Sequence, residues 1–140
     1  YGLALIAAHH GIPFAIAATG TRSLAVVARH ADAWITFGDA RDATASGTEE
    51  IVRQQVRQLE DACASIGRDP TTIQRIYLAG NTDERPLAST TAFEDFMGRY
   101  RGLGFTDLVF HHPRDDDPAW DEPSKIVDDI ATDVLPNWRP

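Results

Sequence analysis

The sequence is short of sulfur and of lysine. Its 140 residues include one cysteine, Cys63, and one methionine, Met97. A lone thiol excludes an internal disulfide and a thiolate metal cluster, and it suits a reducing, cytoplasmic setting. Of the 13 basic residues only Lys125 is a lysine; acids number 21, giving a formal charge of −8 and a pI near 4.9. Nucleic acids and anionic membranes demand a basic face, so neither is an expected partner. Long apolar runs are missing too. The longest, Gly2 to Ala8, is too short to span a bilayer and lacks the basic flank of a signal peptide. Internal repeats and low-complexity segments are absent, as are a Walker loop, the full G-x-G-x-x-G spacing and a G-x-S-x-G elbow. The chain begins at Tyr1 rather than at methionine, as expected of a processed product or a piece of a longer protein.

What is present suffices for a folded domain. With 43% apolar and 24% charged residues the composition is globular, and 140 residues make one domain rather than two. Residues 1–11 are left unassigned; a helix with Leu3, Ile6 and Ala7 on one face is one reading. Four strand-then-helix alternations follow. Ile12 to Ala18 is continuously apolar, as a strand buried on both faces would be. After Thr19-Gly20-Thr21, the positions Leu24, Val27, Ala28 and Ala31 recur at helical spacing. Ala33 to Phe37, ended by Gly38, predicts the second strand. Thr48 with Glu49 and Glu50 predicts a helix start, and Val52, Val56, Leu59, Cys63 and Ile66 make its apolar stripe up to a Gly67 cap. Cys63 therefore reads as a core residue. Ile73 to Ala79 is the third strand. Thr91 and Glu94 have capping-box spacing for a helix through Phe93, Phe96, Met97 and Tyr100, ending at Gly102 or Gly104. Thr106 to Phe110 is the fourth strand. A helix from Ser124 to Leu135 closes the chain, with Pro136 as its stop.

Four βα units in series imply a parallel sheet, either an open doubly wound one or half of an eight-stranded barrel. Both gather ligands at the C-terminal ends of their strands. The most informative such end is Ala17, Ala18, Thr19, Gly20, Thr21 and Arg22. Two hydroxyls, a glycine and an arginine stand at a helix start directly after a buried strand, which suits a phosphate. The competing reading is a turn in which Thr19 or Thr21 merely caps the helix. His111, at the end of the fourth strand, is a candidate for orienting substrate or passing a proton, against a surface role. Neither His9-His10 nor His111-His112 has the spacing of a zinc site, and no metal is expected. Asp115 to Asp117 reads as a solvated loop, and Trp34 and Tyr77 as packing residues.

These residues also carry a resemblance. Ile12 to Trp34 resembles the fifth strand and following helix of the bacterial-luciferase-like monooxygenases, a family that includes deazaflavin (F420) dependent oxidoreductases. Leu59 to Pro70, with Cys-Ala-Ser-Ile-Gly-Arg-Asp-Pro at its end, is similar to a helix end of that family. Leu103 to Phe110 resembles its last strand, and Leu135-Pro136 its C-terminal ending. The resemblance implies strands five to eight of a (β/α)₈ barrel, with the phosphate of FMN or F420 held at Ala17 to Arg22. Phe37 and Gly38, after the next strand, would lie beside the cofactor. Family members are about twice this length, and their first four strands supply much of the ring pocket and the usual acid or base, so no catalytic residue is assigned beyond the candidate His111. The implied function is an oxidoreductase acting on a small-molecule substrate, with this chain as the phosphate-holding half, paired with an N-terminal half or with itself. A half-barrel serving only binding or oligomerisation is the alternative, and a flavodoxin-like sheet the third reading.

Overall fold

The computed structural model describes residues 11–39, 44–80 and 82–138. Residues 1–10, including Leu3, Ile6, Ala7 and the His9-His10 pair, lie outside them. Strands β1 (Ala15–Ala17), β2 (Ala33–Thr36), β3 (Gln74–Leu78) and β4 (Asp107–Val109) form one parallel sheet in the order β1-β2-β3-β4. Helices α1 (Thr21–His30), α2 (Ala45–Ser65) and α3 (Thr90–Gly102) make the crossovers. After β4 come α4 (Lys125–Asp129), a π turn (Ile130–Val134) and α5 (Leu135–Trp138). The expected α/β alternation is present. The flavodoxin-like order is not found among the described residues, because such a sheet seats its first strand between the second and third, whereas the described strands pair strictly in chain order; the further strand that reading would take from Tyr1 to Ala8 lies outside the described residues.

An unreversed order with right-handed crossovers sends every crossover helix to the same face of the sheet. Side chains alternate accordingly. Trp34, Thr36 and Tyr77 point into the helical layer and are fully buried, with Ile16 and Leu108 packed against the same core. Ala15, Ala17, Ile35, Phe37, Ile76, Leu78 and Val109 occupy the other face, and none belongs to the core. The first strand therefore departs from expectation. It spans only Ala15–Ala17, and both alanines are exposed, because β1 has one neighbour and nothing among the described residues covers its outer face.

The core is aromatic on the β3 side. Tyr77 stacks on Tyr100 with ring centroids 4.1 Å apart, and Phe96 stacks on Tyr100 at 4.6 Å. Trp34 packs against Phe105 at 5.7 Å, and Cys63 is buried, so all three sequence readings of these side chains as packing residues hold.

Three helix ends differ from the sequence reading. Thr44, not Thr48, caps α2: its hydroxyl accepts from the Gly47 N–H at 3.2 Å, while Thr48 is buried inside the first turns. Ser89, not Thr91, caps α3 by accepting from the Ala92 N–H at 3.0 Å, which starts the helix two residues earlier. Pro136 does not end the last helix but sits inside α5. A proline ring crowds a regular α-helical ladder, and the wider π turn immediately before it relieves that register.

The Cys63 to Pro70 segment has a structural explanation throughout. Gly67, at φ +72°, donates to Ala64 O while Arg68 N–H donates to Cys63 O, a Schellman end for α2. The Arg68 guanidinium then reaches across to the carbonyls of Ala28 and Ala31, at 3.0 and 2.8 Å, closing the end of α1. Asp69 caps the 3₁₀ turn Pro70–Thr72 through the Thr71 N–H, and this bond holds its carboxyl below the usual range. No helix among the described residues is long and apolar enough to cross a membrane.

Candidate functional site

The turn between β1 and α1 starts from a fixed point. Ala18 is buried, its N–H donates to Ile35 O at 3.1 Å, and its carbonyl accepts from Trp34 Nε1 at 2.8 Å. Thr19, Gly20, Thr21 and Arg22 are then all exposed. Gly20 is the N-cap residue of α1; its carbonyl accepts from Leu24 N–H and from the Ser23 hydroxyl, both at 2.9 Å. A glycine offers no side-chain acceptor to the first N–H groups of α1, while its own N–H donates to Ser23 Oγ at 3.2 Å. Neither Thr19 nor Thr21 acts as the cap. The first turn of α1 also has no acidic side chain to offset the positive end of its dipole. Arg22 makes no ion pair among the described residues.

Two glycines follow successive strands here, and the chain needs only one of them. Gly38 has φ +78°, is buried, and an added Cβ would lie 2.7 Å from Thr48 Cγ2. Both its backbone groups are engaged: its N–H donates to Thr36 Oγ1 at 3.2 Å, and its carbonyl accepts from Gln55 Nε2 at 3.2 Å. Thr36 Oγ1 donates to Gln55 Oε1 at 2.6 Å, completing a buried ring of bonds between β2 and α2. Gly20, by contrast, has φ −112° and ψ 159°, an extended conformation open to any residue. An added Cβ would meet only Ser23 Oγ, at 3.9 Å. Nothing in the fold requires a glycine at this position.

Beside the turn, the open face of the sheet presents Ala17, Ile35 and half-buried Phe37. The arrangement is therefore an exposed helix N-terminus whose N-cap residue has no side-chain acceptor, with Arg22 at its rim and an apolar floor next to it. An anion joined to a flat apolar body matches both parts. Ala17, Ala18, Thr19, Gly20, Thr21 and Arg22 come together in one turn, with Phe37 adjoining; Gly38 is turned to the chain's own α2.

His111 lies elsewhere, beyond the end of β4. It is exposed, its ring lies 5.2 Å from that of Trp120, and it borders Gly80, where an added Cβ would come within 3.3 Å of the imidazole. In the following loop Asp115 and Asp116 are exposed, and the Arg114 guanidinium holds the Asp117 carboxyl below its usual range. The loops after β3 and β4 are tied together by Arg85, which bridges Asp121 and Glu122. A second network, Arg99 with Glu49, Glu84 and Asp95, joins α2, α3 and the loop after β3. Sequence reasoning missed both networks, as well as the Thr36–Gln55 pair, because their partners lie far apart in the chain; a glutamine inside an otherwise apolar α2 stripe was the one available signal.

Burial pushes the Tyr77 and Tyr100 hydroxyls above their ordinary range, and it does the same to the Cys63 thiol. All three side chains face the core and away from the turn. No group of three His, Cys, Asp or Glu side chains among the described residues converges as a metal site. The chain matches no protein-family model, and no curated protein matches it.

Proposed function

We propose that this chain is the phosphate-holding half of a flavin or deazaflavin dependent oxidoreductase of the luciferase-like kind, its sheet forming strands five to eight of a (β/α)₈ barrel. The observation that carries the reading is Gly20: neither its backbone angles nor its packing calls for glycine, yet it opens a helix whose first N–H groups receive no acceptor from the N-cap side chain, beside an apolar floor. A missing side chain at that point lets an oxygen anion approach the backbone N–H groups closely. The residues present thus fit the terminal phosphate of FMN or the phosphate-bearing tail of F420. Thr21 and Arg22, with the first N–H groups of α1, would hold the anion, Arg22 adding a charge-assisted contact. Ala17 and Phe37 would leave a low, water-poor surface for the ring system. When bound, such a cofactor supplies the hydride or oxygen chemistry, and the protein supplies anchoring, orientation and exclusion of water. His111 stands as a candidate for handling a substrate proton, and the substrate is a small molecule.

The open sheet face supports the pairing part of the reading. Ile35, Phe37, Ile76, Leu78 and Val109 lie outside the core, and among the described residues β1 and β4 are both edge strands. Edges and apolar faces of this kind are covered in stable proteins, here by an N-terminal half or a second copy. The same observation favours the alternative, a half-barrel that only binds and oligomerises. Titration with F420 and with FMN, followed by absorbance and by thermal shift, tests the cofactor assignment that both readings share. Saturable binding of either supports it and uptake of neither refutes it, while reduction of the bound cofactor by a substrate is expected of the enzyme alone.

A further inference from the structure

The other edge of the sheet carries a cleft separate from the α1 turn. It lies on the helical side of β4, between α3 and the C-terminal helical segment, with a volume of about 600 Å³, within the size range of small-molecule sites. Its walls are apolar: Phe93, Met97, Leu108, Phe110, Leu135 and Trp138. Its polar lining comes from Arg101 and Thr106.

Arg101 is exposed, with its guanidinium 5.6 Å from the centre of the Trp138 ring. Among the described residues no carboxylate pairs with it, as with Arg22, Arg29 and Arg68, whereas Arg53, Arg57, Arg75, Arg85, Arg99 and Arg114 each bind at least one acid; of the four without one, Arg101 alone lines this cleft. In a chain of net charge −8, a cation left without an acid at the edge of an apolar cleft is complementary to an anion with an apolar body. A smaller cavity of about 260 Å³ shares Phe93, Phe110 and Leu135 and continues toward His111 and His112, giving an extended body room to run.

We infer that this cleft binds an amphipathic carboxylate, its chain or ring against Met97, Leu108 and Leu135 and its carboxylate on the Arg101 guanidinium. The guanidinium is already oriented by the Trp138 ring and presents its N–H fork to a planar anion.

Calorimetric titration of the full chain with octanoate and with uncharged 1-octanol tests the assignment. Octanoate is expected to bind more tightly than 1-octanol, and Arg101→Gln to weaken octanoate about tenfold while leaving 1-octanol unchanged. Met97→Trp, which fills the cleft, is expected to weaken both. Arg101 is exposed, so Arg101→Gln retains the fold and decides the matter even where Met97→Trp fails to fold. Equal binding of the two probes, or octanoate affinity unmoved by Arg101→Gln, overturns the assignment. So does self-association of the unliganded chain that Met97→Trp abolishes, because a second copy then fills the cleft.

Discussion

Gly38→Ala separates a glycine that the chain requires from one that it does not. The substitution forces alanine into φ +78°, where a left-handed backbone costs about 1–2 kcal/mol. It also brings a Cβ to 2.7 Å from Thr48 Cγ2, and overpacking of that kind costs roughly 1–3 kcal/mol. Together these give a loss of about 2–5 kcal/mol, a large part of the stability of a domain this size. The two contributions come apart with Thr48→Ser, which removes the offending methyl and keeps the hydroxyl. In a double-mutant cycle followed by urea unfolding, Gly38→Ala in the Thr48→Ser background is expected to lose only the backbone share, so the coupling is favourable by about 1 kcal/mol or more. Gly20→Ala, measured alongside, is expected to cost under about 1 kcal/mol, the ordinary difference between glycine and alanine at a helix N-cap. Equal losses at the two glycines, or no coupling between positions 38 and 48, would refute the distinction on which the site rests.

Among the described residues the buried Tyr100 hydroxyl has no partner of good hydrogen-bond geometry, the Tyr77 hydroxyl being its polar neighbour, so Tyr100→Phe is expected to stabilise the fold by about 1 kcal/mol in thermal or urea unfolding; a loss of that size would show that the two hydroxyls are bonded. Burial raises the pKa of both Tyr77 and Tyr100 above the unfolded value of 10.0, so these hydroxyls stay protonated in the native state while the unfolded chain releases its protons. Their contribution is whole below pH 10 and is lost as pH rises beyond it, at up to about 1.4 kcal/mol per pH unit for each tyrosine; stability unchanged between pH 10 and 11.5 contradicts this. Trp34→Phe deletes the indole bond to the Ala18 carbonyl and is expected to cost about 1–2 kcal/mol in stability and to weaken phosphate binding at the neighbouring turn. Intact binding in that variant would show that Ala18 does not position the turn.

The sequence made the fold class legible because βα alternation is written in short-range patterns. The apolar run of β2, the Val52 to Cys63 stripe and the Gly67 end of α2 are all local features, and each is found where its period places it. Less legible was whatever depends on neighbours in space. Ile12 to Ala18 is apolar enough for a strand covered on both faces, but coverage is a property of the sheet, and β1 lies at its edge. The caps at Thr44 and Ser89 were displaced from Thr48 and Thr91 because several hydroxyls precede each helix, and packing against Gly38 draws Thr48 inward. At the candidate site, the Ala17 to Arg22 turn was visible as a Thr-Gly-Thr after an apolar run. What the sequence did not reveal was the difference between Gly20 and Gly38, which appears only once backbone angles and the Thr48 methyl are placed.

The central claim is that the α1 turn holds a cofactor phosphate, and comparing FMN with riboflavin, which differ by that phosphate alone, tests it most directly. Titrated into the unaltered chain and into Gly20→Val, FMN is expected to bind the unaltered chain at least about tenfold more tightly than riboflavin, as contacts to a charged group imply. In Gly20→Val that advantage is expected to vanish while thermal stability stays within about 1 kcal/mol of the parent. F420 run in parallel distinguishes the deazaflavin from the flavin. An FMN advantage that survives Gly20→Val, or no difference between FMN and riboflavin in the unaltered chain when either binds, would contradict the account.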